Sequence, residues 1–199
     1  MSTIFTSADS WNGGFYEISI EMKDKDDSAL DKAIRICWSY SGVKGCYTSK
    51  TMEPSDQVIS IPSLNSLNEN GHLLGTIKLQ NGNLVPCGMT LIREENGPDF
   101  IDMYLPLGGL VAAFPDIGGY PFGNNEYSRK WREPIDDLLT DVGIQVYNAV
   151  PYSLGSIGFE VSGDIYSNEI PRILSQKRYN RYLVPQNGKL MICHPTVWA

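Results

Sequence analysis

Two periodicities alternate along this chain. Residues 15–22 put Tyr16, Ile18, Ile20 and Met22 on one side and Glu17, Ser19 and Glu21 on the other, the period-two pattern of a half-buried antiparallel strand. An acidic DKDD turn follows, and Ser28 with Asp31 three positions on predicts a capping-box-like helix start. Leu30, Ala33, Ile34, Cys37 and Trp38 then recur at helical spacing, and Gly42 and Gly45 end that helix. The two patterns meet back to back in 131–163. Ile135, Leu138, Leu139, Val142, Val146 and Val150 form the stripe of a second helix, with Pro134 in its first turn, Asp136 and Asp137 near its positive end, and Pro151 as its stop. The next strand, 157–161, sets Ile157, Phe159 and Val161 on one face and Gly158, Glu160 and Ser162 on the other.

Turn chemistry supplies the connections. Asn81-Gly82 between 73–80 and 83–93 is a strong hairpin signal, and a two-residue closure pairs Gly75 with Gly88, Thr76 with Cys87 and Ile77 with Pro86. Facing glycines call for a helix or an aromatic ring packed over them, and Pro86 makes the outer side of its strand an edge or a bulge. Asn187-Gly188 closes a C-terminal hairpin between 182–185 and 189–194, either as a two-residue turn or as a type I turn with a glycine bulge. A short strand at 100–105 and a short helix in 165–174, interrupted near Pro171, complete the elements. The Ser-, Pro- and Asn-rich stretch 48–70 reads as a surface connection with one strand candidate at 58–61. These elements do not alternate as βαβ units. They predict an α+β fold, one domain over 1–199, with a mainly antiparallel sheet and two principal helices packed on it.

Composition narrows the class. The 199 residues are 42% hydrophobic and 20% charged, which suits a globular domain. No window approaches the roughly 18 apolar residues of a membrane span, and the first residues lack the basic and apolar regions of a signal peptide, so the expected setting is soluble and cytoplasmic. Cys37, Cys46, Cys87 and Cys193 are scattered, without a CxxC pair, and are expected as buried small side chains. The net charge of -7 is uneven: residues 172–199 hold five cations and no carboxylate, and the first 171 residues hold all 23 acidic residues. Such a body repels a phosphate backbone. Tyr179 and Tyr182 interleave with the C-terminal cations as in a single-strand binding surface, but the expected role of these cations is to neutralise the protein's own acidic face.

Candidate chemistry is thin. Cys193 and His194 are neighbours on a strand and point to opposite faces, and the hairpin register puts Cys87 about 13 Å from His72, which leaves only a pairing across the fold such as Cys46 with His194. There is no short-spaced metal-ligand pair, no phosphate-cradling glycine loop and no nucleophile elbow, so neither a metal nor a cofactor is expected. Glu160, mid-strand between Phe159 and Val161 with Asp164 nearby, is a carboxylate whose burial would demand a raised pKa or an arginine partner. The loop 114–123, FPDIGGYPFG, joins Phe114, Tyr120 and Phe122 to Asp116 among glycines and prolines, a mixture suited to recognition. The expected function is a non-catalytic binding protein whose acidic body engages a basic protein partner, in the manner of a toxin-neutralising immunity protein. The alternative is a small carboxylate-dependent hydrolase or ligand-binding enzyme using Glu160.

Overall fold

A computed structural model describes residues 4–117, 122–123 and 126–197 of the chain. One antiparallel sheet of eight strands runs through it in the order β2-β3-β4-β5-β1-β6-β7-β8. The strands are β1 Phe15–Glu21, β2 Val43–Tyr47, β3 Leu73–Lys78, β4 Leu84–Arg93, β5 Asp99–Pro106, β6 Leu154–Phe159, β7 Arg181–Gln186 and β8 Lys189–Cys193. The helices are α1 Asp27–Trp38, α2 Leu64–Asn70, α3 Leu107–Ala113, α4 Glu126–Ala149 and α5 Ile170–Leu174. This is the expected α+β class. No helix among the described residues is long and apolar enough to cross a membrane.

The main core lies between one face of the sheet and helices α1 and α4. Alternation delivers Ile18, Ile20, Ile101, Met103, Met89 and Ile157 to that face, where they meet Leu30, Ile34, Leu139, Val142 and Val146. Each helix buries the stripe read from its spacing. Their ends differ from expectation. Asp26 caps α1, accepting from the Ser28 N–H at 2.8 Å, because the extended backbone of Asp26 leaves its carboxylate free to turn back on the first turn. Helix α4 begins at Glu126, so Pro134, Asp136 and Asp137 lie in its interior. The pairs Lys130–Glu126 and Arg129–Glu133 support the turns before Pro134, and proline removes only the bond to the Lys130 carbonyl.

The hairpin at Asn81-Gly82 is displaced by one residue from the expected register. Gly82 N–H donates to Leu79 O at 2.9 Å and Leu79 N–H to Asn83 O at 2.8 Å, a three-residue loop with Gly82 at φ 87°. Gly75 therefore faces Cys87 and Leu74 faces Gly88. The glycines fall on opposite faces, and each is covered: Trp38 of α1 packs over Gly75, and the Tyr104 ring lies over Gly88. The C-terminal hairpin does close in two residues, with Asn187 at φ 52° and Gly188 at φ 74°. Residues 58–61 form no strand; they run beside β2, with Ser60 N–H donating to Cys46 O at 2.9 Å.

The second face of the sheet is also largely covered. The segment 160–176 folds over it and closes a small core of Leu154, Ile170, Tyr182 and Cys193, so Glu17, Ser19 and Glu21 are buried rather than solvated. The segment 4–14 covers the other end, with Phe5 edge-on to Trp11 and Tyr47.

Candidate functional site

The residues singled out in the sequence do not converge. Phe122 is a core side chain, edge-on to Trp131 at 5.0 Å and to Phe159 at 5.3 Å. Phe114 is half-buried and Asp116 exposed, whereas Tyr120 lies outside the described residues. Glu160 is not mid-strand: it follows the end of β6 at φ 51° and is exposed. Its N–H donates to Phe15 O at 2.9 Å while its Oε1 accepts from Phe15 N–H at 3.0 Å, so it seals the end of the β1–β6 ladder.

Asp136, expected near the start of its helix, is fully buried in the helix interior. The Tyr16 hydroxyl donates to its Oδ1 at 2.5 Å, and Arg132 Nε donates to the Tyr16 oxygen at 3.2 Å. Arg181, itself buried, donates to Asp137 Oδ1 at 2.7 Å and Thr140 Oγ1 at 3.0 Å, and its Nε stands 3.8 Å from Asp136 Oδ2, an ionic contact rather than a hydrogen bond. Burial pushes Asp136 up to about 6 against the opposing pull of Tyr16 and the two arginines. This network ties α4 to β7. It also accounts for one cation of the basic C-terminal stretch, which neutralises an internal carboxylate.

Two rows of side chains cross the second face. Leu74, Gly88, Tyr104, Glu17 and Gly158 form one, and Thr90, Asp102, Ser19, Ser156 and Tyr182 the next. Glu17 and Asp102 thus come together from strands far apart in sequence. Glu17 Oε1 accepts from Ser162 N–H at 3.0 Å, and Asp102 Oδ2 accepts from the Ser162 hydroxyl at 2.7 Å. Burial, then the neighbouring Asp102 charge, pushes Glu17 up to about 8, and burial raises Asp102 as well. The pair resembles an acid–base couple in chemistry, but at 4% and 1% exposure it is sealed beneath the turn at Ser162.

Open geometry lies at the β2 end. His72 Nδ1 is 3.1 Å from the Tyr104 hydroxyl, a contact made possible by the missing side chain at Gly88. Trp11, Phe15, Lys50, His72, Leu74 and Tyr104 are among the walls of a cleft of about 360 Å³. One wall, 48–50, belongs to a loop clamped by a single side chain. Gln57 Oε1 accepts from the N–H groups of Thr48 and Ser49 at 3.1 and 2.9 Å, and its Nε2 donates to Ser49 O and Met52 O at 2.6 and 2.8 Å. That uses every hydrogen-bonding site of the amide. The same loop holds its apolar side chains outward: Val58 is 86% exposed, Ile61 70%, Ile59 61% and Met52 48%.

Comparison with known families, curated proteins and solved structures finds no match. The residues themselves therefore carry the functional argument. Among the described residues, no group of three or more His, Cys, Asp or Glu side chains is placed to hold a metal ion. The arrangement presents a clamped loop with four exposed apolar side chains, whose residues 48–50 also line an aromatic cleft. Neither was legible as a site in the sequence, although one signal was present: Pro54 and Pro62 bracket the apolar run at 58–61 and oppose its use as a strand.

Proposed function

We propose that the protein is a non-catalytic binding protein that holds a basic protein partner against the ridge formed by Met52, Val58, Ile59 and Ile61. The observation that carries this reading is the exposure of four large apolar side chains on a loop that Gln57 fixes in place. Exposed apolar groups gathered in one patch mark interaction surfaces, and a fixed loop loses little entropy on binding. Charge supports the basic partner. From residue 51 to residue 77 the chain has Glu53, Asp56 and Glu69 and no lysine or arginine, with Lys50 at the start of the loop. A cationic toxin neutralised by stoichiometric binding fits this chemistry. We place the encounter in the cytoplasm, where the buried thiols of Cys37 and Cys87 stay reduced.

The test uses the double variant Ile59→Asp/Ile61→Asp as bait beside the natural protein in the source cell. Both positions are exposed, so the variant keeps its melting temperature. Proteins held by the natural chain are expected to be lost from the variant, and the association rate of a recovered partner is expected to fall steeply as salt rises past about 0.15 M. Equal recovery on both baits, or association indifferent to salt, overturns the reading.

A further inference from the structure

We propose that the cleft between the N-terminal segment and the His72–Tyr104 pair is a binding site for a small aromatic carboxylate. This goes beyond capture of a protein partner and does not rest on it. Three rings supply the walls. Phe15 and Tyr104 stand 4.3 Å apart in a tilted stack, and Trp11 is fixed by its indole N–H, which donates to Phe5 O at 2.6 Å. Rings held in this way offer an aromatic wall that costs little ordering when covered. The volume of about 360 Å³ suits one small molecule.

The polar groups select the charge. In a chain of net charge -7 the described walls of this cleft hold no aspartate or glutamate, and among the described residues Lys50, which forms no ion pair, is the one cation on them. His72 Nδ1 shares a hydrogen bond with the Tyr104 hydroxyl, and the exposed His72 ring lines the cleft with Lys50. In the tautomer whose Nδ1 accepts from Tyr104, the Nε2–H is a second donor alongside the Lys50 ammonium. A ringless anion would use these donors and leave the aromatic walls wet. A neutral aromatic would fill the cleft and leave Lys50 unpaired. A ring bearing a carboxylate satisfies both.

Indole-3-acetate and benzoate are the probes, titrated into the full-length protein while the His72 and Trp11 side-chain resonances are followed by NMR. Saturable shifts below about 10 mM are expected, with affinity about tenfold or more weaker for acetate and for indole-3-ethanol. Lys50→Met, at an exposed position, is expected to weaken the aromatic acids by about tenfold without lowering the melting temperature; His72→Phe is expected to weaken them by about as much and to lower the melting temperature, because it leaves the buried Tyr104 hydroxyl without its partner. No saturable shift overturns the proposal. So does equal binding of acetate, which would show an adventitious anion only, or equal binding of the neutral alcohol.

Discussion

At the scale of single residues, burial of Glu17 sets the sign of the response to pH. Its carboxyl titrates at 4.5 in the unfolded chain and at about 8 in the folded one. The folded state therefore binds more protons between those values, and stability falls as pH rises through that window. Asp136, raised to about 6, acts in the same direction. Glu17→Gln is expected to flatten the decline in melting temperature between pH 5 and pH 8 and to raise stability at pH 8 by on the order of 1 kcal/mol or more. Thermal denaturation across the range checks this, and a slope equal to that of the natural protein counts against it. Gln57 makes a different statement at the same scale. Its amide holds an exposed loop and no core, so Gln57→Ala should leave the melting temperature within about 2 °C while limited proteolysis between Lys50 and Met52 speeds up several-fold.

At the scale of elements, close approach and ion pairing decide how strands and helices meet. A side chain at position 88 would collide with the Tyr104 ring, which lies flat across β4 to reach His72. Gly88→Ala is expected to cost about 1–3 kcal/mol in urea denaturation and to abolish the His72–Tyr104 contact. Arg181 joins α4 to β7 through Asp136 and Asp137, so Arg181→Met removes one of the two cations that face the buried Asp136, at a cost of about 3 kcal/mol. Asp136→Asn in that background should recover part of the loss.

How far such junctions could be read in advance depended on the range of their causes. The stripes of α1 and α4 and the strand at 15–21 follow from local periodicity and were legible. The start of α4 was not, because Pro134 is as welcome in a first turn as any residue and the helix ran through it. At Asn81-Gly82 the dipeptide announced a turn but not its length: Asn81 Oδ1 accepts from Asn83 N–H at 3.0 Å, which favours the three-residue loop and moves every cross-strand partner by one. The cleft was least legible of all. Trp11, Lys50, His72 and Tyr104 come from four separate stretches of the chain, and nothing local to any of them records the others.

At the scale of the whole molecule, one sheet makes the chain a single cooperative unit. Strand β1 lies between β5 and β6 and bonds to both, so the four strands on one side and the three on the other share it. Tryptophan fluorescence and far-ultraviolet circular dichroism are expected to report coincident urea transitions; two separated midpoints would show that the halves fold apart. The place of β1 in the chain has a temporal counterpart. It is the first strand to be synthesised, yet its second neighbour begins only at Leu154. At about 5–20 residues per second, Ile18 and Ile20 wait on the order of ten seconds for that neighbour. A nascent chain thus carries a half-matched strand until β6 has been made, and slower translation lengthens that interval.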